Sequence, residues 1–176
     1  MPTDNHVKKA FSLIENDKSK VLGLTAGDQA IQPGQYLARS DSAVQTPPKL
    51  SFDGADPSKT YLVVSLDIDA PFPSFGALGP ILHWIQPGVK VTESSSLDTS
   101  KPFVANYIGP APPPGSSPHR YIFFLYEEPE GFDFKQHAPP DGKKLGNMSR
   151  MRYDLDSWGE QVGLGPAVAF NYFKSN

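Results

Sequence analysis

The chain has 176 residues, a formal net charge of −3, 20% charged residues and no cysteine. That balance excludes a global pull toward nucleic acid or an anionic membrane, so any anion binding needs a local site. The absence of cysteine excludes a disulfide framework, a thiolate nucleophile and a thiolate-bound metal. Nineteen prolines and fifteen glycines argue against a helical bundle, because proline removes a backbone donor and breaks helices. Eleven Phe, seven Tyr and two Trp argue against disorder. The start of the chain lacks the apolar core of a leader, and no apolar run approaches the ~20 residues of a membrane span. The expectation is a soluble cytoplasmic protein of one domain, residues 1–176.

In chain order, residues 5–17 carry Val7, Ala10, Phe11 and Ile14 at helical spacing, with Asp4 or Asn5 as cap, inside an N-terminal helical segment 1–20. Residues 50–52 and 60–71 read as strands. Val63, Val64 and Leu66 form a nearly continuous apolar run, which suits a strand buried on both faces. Residues 81–91 read as a strand broken at Pro87-Gly88, and 103–109 as a further strand. Residues 120–128, "RYIFFLYEE", are filled with aromatic and β-branched residues and give the strongest strand signal. Met148, Met151, Leu155, Trp158 and Val162 recur at helical spacing, and 165–173 close the chain as a strand. The pattern is mainly β with a helix near each end.

Four polar signals interrupt this apolar framework. Asp67 and Asp69, in "DIDAP", stand two apart at a strand end, so their carboxylates share a face and repel unless a cation or donor separates them. Taken alone, one of them fits a cap for the turn before Pro71, a turn where a cis peptide bond is expected. His83, between Leu82 and Trp84, fits a satisfied core histidine when taken alone. His119 lies where a proline-rich loop meets the strand, and Tyr121 shares its strand face. His6 and His137 read as surface residues. Each of the four signals adjoins a loop at a strand end, where sites are built on β scaffolds.

"DIDAP", "LHW" and "GPAPPPGSSPHRY", in that order, resemble the signature of the phosphatidylethanolamine-binding protein family, which includes Raf kinase inhibitor proteins, plant flowering-time regulators and fungal carboxypeptidase Y inhibitors. The resemblance implies an antiparallel β-sandwich with a few peripheral helices. It also implies a pocket for a small anion, phosphate or a phospholipid head group, formed by Asp67, Asp69, His83, Gly109, Pro113, His119 and Tyr121. Implied partners are a serine carboxypeptidase or a kinase, with peripheral membrane contact at most, no nucleic acid and no cofactor. Ile68 and Ala111 depart from the family pattern, which usually has Pro and Gly there.

The residue types suit such a pocket. A carboxylate beside an imidazole fixes its tautomer and raises its proton affinity, so Asp67 or Asp69 can orient His83 or His119. Gly109 lets the main chain approach a ligand, Tyr121 adds a hydroxyl donor, and the prolines stiffen the rim. Two alternatives share the same side chains. Two Asp and two His match a mononuclear metal site. A hydrolase would use His119 as general base, but neither a Gly-x-Ser-x-Gly elbow nor a cysteine supplies its nucleophile. The expectation is a non-enzymatic binding and regulatory protein.

Overall fold

The computed structural model describes residues 3–176. Helix α1 (Asp4–Asn16) precedes four short strands, β1 (Gly23–Ala26), β2 (Gln29–Ile31), β3 (Gln35–Tyr36) and β4 (Lys49–Ser51). The long central strands follow, β5 (Tyr61–Asp67) and β6 (Ile81–Val91), then β7 (Ser96–Asp98) and β8 (His119–Glu127). Helix α2 (Leu155–Val162) and strand β9 (Ala167–Ser175) close the chain. Neighbouring strands run antiparallel, except β3 against β9.

The strands form one continuous order, β2-β1-β4-β7-β6-β5-β8-β9-β3, rather than two separate stacked sheets. Strand β6 makes this possible. Most of its length pairs with β5, while Lys90 and Val91 pair with β7. Leu24 and Leu50 of the short strands share one apolar cluster with Val63, Trp84 and Phe123, so the sheet curls back over itself. On the opposite face, Leu62, Val64, Phe124 and Phe170 pack with Val7, Ala10 and Ile14 of α1 and Leu155 of α2. With both faces covered, all seven residues of β5 are buried, as its unbroken apolar run predicts. Each fully buried side chain of this size contributes about 1.5–3 kcal/mol, which makes β5 and its neighbours the stable base on which loops are mounted.

Several local expectations are corrected. Strand β6 is not broken at Pro87-Gly88. It runs through as a bulge between the Tyr61–Val89 and Val63–Gln86 pairs, with Gly88 at φ +68°, where a side chain would be strained. Residues 103–109 make only one bridge, Ala105 to Ile85, and no strand. The second helix is confined to α2. Before it lie a 3-10 turn (Asn147–Arg150), a left-handed Arg152, and Asp154, whose carboxylate caps the helix by accepting from Ser157 N at 3.0 Å. Met148, expected on the apolar stripe, is 81% exposed. At the chain start, α1 begins at Asp4, and the first two residues of the expected helical segment lie outside the described residues. The peptide bond before Pro71 is cis, as expected, and so is the one before Pro80.

Candidate functional site

Strands β5 and β8 are paired in register, so Asp67, the last residue of β5, lies directly opposite Tyr121, the third residue of β8. His119 starts β8, and its Nδ1 lies 2.8 Å from Asp67 Oδ2. Its Nε2 lies 2.8 Å from the hydroxyl of Ser116 in the proline-rich loop. His83 reaches the same place by a different device. The pairs Ser65–Trp84 and Leu66–Leu82 leave it as the extra residue of a β-bulge. Bulges re-aim side chains, and here the ring of His83 meets the edge of Tyr121 with centroids 5.1 Å apart. Its Nδ1 lies 2.7 Å from the Ile108 carbonyl.

The two aspartates do different work. Asp67 Oδ1 accepts from Asp69 N at 2.9 Å, a turn that carries the chain off the strand. Asp69 then turns to Arg120. Its carboxylate accepts from Arg120 N and Nε at 2.8 Å and from a terminal guanidinium nitrogen at 2.7 Å. Each carboxylate therefore has its own donor, His119 for Asp67 and the Arg120 cation for Asp69, which eases the repulsion implied by their spacing.

The rim over this cluster is pinned from outside. Gln45 Nε2 donates to the Pro110 carbonyl, Arg39 to the Pro112 carbonyl, and Asn176 to the Ser116 carbonyl. Pro113 accepts from Ser116 N at 3.1 Å and so closes the turn that delivers Ser116. The geometry gives Gly109 a packing role: a Cβ there would stand 2.8 Å from Gln45 Cα. Ala111 is exposed on the rim.

The electrostatics separate the two histidines. Burial opposes the charge on His119, but its hydrogen bond to Asp67, with the charges of Asp67 and Asp69, outweighs burial and raises its pKa. Burial lowers the pKa of His83, and Asp67 and the Ile108 bond only partly offset this. His83 is thus neutral, with Nδ1–H donating to Ile108 and Nε2 carrying a lone pair and no protein partner. The Tyr121 hydroxyl is sealed from solvent without a completed hydrogen bond, although Asp67 and the Ala111 main chain adjoin it. Burial, then the Asp67 charge, pushes its ionisation far above the ordinary tyrosine range.

Ser116, His119 and Asp67 are connected in the manner of a nucleophile, base and orienting acid, a link that reading the sequence missed. The Ser116 hydroxyl also lies 2.9 Å from the Ser117 carbonyl, a second acceptor within reach of its single proton. A general base must accept from its nucleophile, so the direction of the Ser116–His119 bond separates a relay from a plain contact. Among the described residues, no group of three or more His, Asp or Glu side chains is arranged to hold a metal ion. A groove of about 960 Å³ runs along α1 and α2, and one of about 470 Å³ adjoins Phe103 and Phe134; no residue of the cluster lines either.

His6 and His137 fare differently. His137 is exposed and stacks on Phe132. His6 is half-buried, its Nδ1 2.9 Å from the Tyr126 hydroxyl, so the surface reading fails for it. Reading the sequence also missed Arg120 as the partner of Asp69, and a buried arginine, Arg150, taken up below.

These features define a class: a mainly β protein with a carboxylate–imidazole cluster at the end of its central strands, roofed by a proline-rich rim. The profile of the family described as phosphatidylethanolamine-binding protein matches residues 27–173, and the chain belongs to that family. Among similar proteins, phomoidride biosynthesis cluster protein N of Talaromyces stipitatus is 34% identical over 121 residues, 64% of this chain and 57% of that protein. The carboxypeptidase Y inhibitor of Saccharomyces cerevisiae is 28% identical over 127 residues, again 64% of this chain and 58% of that protein. The chain thus spans less than two thirds of the length of these relatives. Among solved structures, a carboxypeptidase Y inhibitor in complex with its cognate proteinase superposes with a TM-score of 0.72 at 20% identity, over 98% of this chain and 97% of that one. A phosphatidylethanolamine-binding protein from Plasmodium vivax gives 0.65 at 16% identity, over 88% and 84%. At these identities the structures speak for the fold alone.

Proposed function

We propose that the protein is a non-enzymatic binding and regulatory module whose Asp67–His83–His119–Tyr121 cluster takes a small oxyanion, a phosphate or the phosphate of a phospholipid head group. One observation carries this reading: the Tyr121 hydroxyl, buried without a completed hydrogen bond, lies in one cluster with His83, whose ring centroid is 5.1 Å from its own, and with His119, whose pKa Asp67 raises. A buried hydroxyl without a partner costs about 1–3 kcal/mol, and a ligand oxygen that accepted its proton would recover it. Monoprotonated phosphate supplies both halves of the match, acceptor oxygens for Tyr121 and an O–H for the His83 lone pair. Gly109 and Pro113 support the rim in this reading, and Asp69 holds Arg120 at its edge. The expected affinity lies near ~1 mM unless a lipid chain or a protein partner adds contacts. Likeness to the yeast carboxypeptidase Y inhibitor favours a serine carboxypeptidase as that partner.

The test is thermal unfolding in inorganic phosphate and in phosphorylethanolamine, with and without a chelator. Ligand at one hundred times its Kd should stabilise the protein by about 2.7 kcal/mol, with no effect of chelator. A melting temperature unmoved by phosphate removes the anion reading, and one lowered by chelator favours a metal. Labelling of Ser116 by a fluorophosphonate would overturn the non-enzymatic reading. A carboxypeptidase assay tests the partner, and activity unchanged by excess protein rejects it.

A further inference from the structure

Arg150 is among the most deeply buried side chains of the molecule, at 1% exposure, and it is a cation with no carboxylate. Its guanidinium donates to neutral acceptors: Nε to the Leu145 carbonyl at 3.2 Å, one terminal nitrogen to the Leu82 carbonyl at 3.1 Å, the other to Asn106 Oδ1 at 2.7 Å. Among the described residues, no ion pair involves it. An unpaired buried charge is expensive, and a protein that needed only a clamp here could use an uncharged side chain. Arginine also stays charged under burial that would neutralise a lysine.

The position of this charge is informative. The Leu82 carbonyl belongs to the peptide bond that leads into His83, the bulge residue of the cluster. Asn106 belongs to the segment whose Ile108 carbonyl faces His83 Nδ1 and whose Ile108 N donates back to the His83 carbonyl at 3.0 Å. Arg150 therefore ties together the two segments that set the orientation of the His83 ring. It also changes the charge balance. Asp67 is matched by His119 and Asp69 by Arg120; with His119 protonated, the state its raised pKa favours, two carboxylates face two cations and Arg150 is the third, left over.

We propose that Arg150 is the electrostatic backing of the anion site: a positioning residue behind His83 whose uncompensated charge draws the oxyanion and whose fork fixes the His83–Ile108 pair. The inference rests on the anion reading of the cluster and adds a residue that does not touch the ligand. Arg150 also disfavours a proton on His83, which keeps Nε2 an acceptor.

Three variants separate charge from packing. R150Q removes the charge and keeps part of the hydrogen bonding. R150K keeps the charge and loses the fork. N106D leaves Arg150 in place and gives it a carboxylate partner, cancelling the surplus charge while preserving the contact, so it serves even if R150Q fails to fold. Inorganic phosphate binding would be measured by calorimetry, and the His83 pKa by NMR in phosphate-free buffer. R150Q and N106D should each weaken phosphate binding on the order of tenfold, the scale of one nearby charge in a partly buried site. Both should raise the His83 pKa. R150K should stay within about threefold of the parent. Phosphate binding by the parent that persists undiminished in R150Q or N106D, or a His83 titration that does not move, overturns the inference. A merely structural arginine would make R150K as damaging as R150Q and leave N106D silent, which also overturns it. Absence of phosphate binding in the parent overturns the reading of the site itself, and with it the role of Arg150.

Discussion

Strand β8 carries a tyrosine near each end, and each meets a histidine and an aspartate. At one end, Tyr126 bonds to His6 Nδ1 at 2.9 Å, and Asp156 of α2 accepts from the backbone N–H groups of Asn5 and His6 at 3.0 and 3.1 Å. The aspartate thereby caps the first turn of α1 from another helix, and the trio latches the two helices over the sheet. At the other end, Tyr121 stands among His83, His119 and Asp67, and its hydroxyl has no completed hydrogen bond, with Asp67 and the Ala111 main chain beside it. The same three residue types give a closed latch in one place and unfinished valences in the other. The lesson is that residue type does not tell the two apart; what the surrounding structure leaves unsatisfied does.

The largest effect that tests this contrast is at His119. It is fully buried and bonded on both sides, to Asp67 and to Ser116. His119→Ala leaves Asp67 without its cation and should cost about 3 kcal/mol, measured by urea unfolding, the scale of a broken buried pair. Removing this histidine therefore affects both binding and the fold. A loss below ~1 kcal/mol would mean that the site is already open to water. Smaller and sharper is the tyrosine pair. Tyr126→Phe strands His6 Nδ1 and should cost about 1 kcal/mol. Tyr121→Phe removes a hydroxyl without a completed hydrogen bond and should leave stability unchanged or slightly raised, while weakening phosphate binding. Equal losses at the two positions would erase the distinction between latch and site.

How far the sequence reveals this structure differs between the two ends as well. The central strands are legible because β5 and β8 concentrate β-branched and aromatic residues, and their register then places Asp67 opposite Tyr121. Asp67 and His119 follow from motif and position. The division of labour between Asp67 and Asp69 does not, because the alternation rule holds only inside a strand and β5 ends at Asp67. His83 sits in a bulge, a local insertion that period-two reasoning cannot see. The stripe of Met148 and Met151 has helical spacing, yet Asp154 is a stronger helix start and sets α2 further on. Ser116 and Arg150 carry no local signal. Ser116 is one of two adjacent serines, and only the turn closed by Pro113 selects it; Arg150 acquires its meaning from two segments distant in the chain.

The smallest predicted effect sets the histidines of the two ends against each other through pH. The folded-state pKa of His119 lies above 6.5, so the folded chain holds its proton more tightly than the unfolded chain. Its contribution to stability is fully present below pH 6.5 and is lost as pH rises through that elevated value. His83 and His6 have folded-state values below 6.5, both through burial, which outweighs the attraction of Asp67 and Asp156 respectively. Their neutral forms are favoured, so stability is lost as pH falls from 6.5 toward those depressed values. In phosphate-free buffer, urea midpoints should therefore fall on both sides of a maximum near pH 6.5. The alkaline limb belongs to the site, and the acid limb is shared between site and latch. His6→Asn should flatten the acid limb and leave the alkaline limb untouched. A midpoint that climbs steadily from pH 6.5 to pH 8.5 would show that His119 is not held protonated by Asp67.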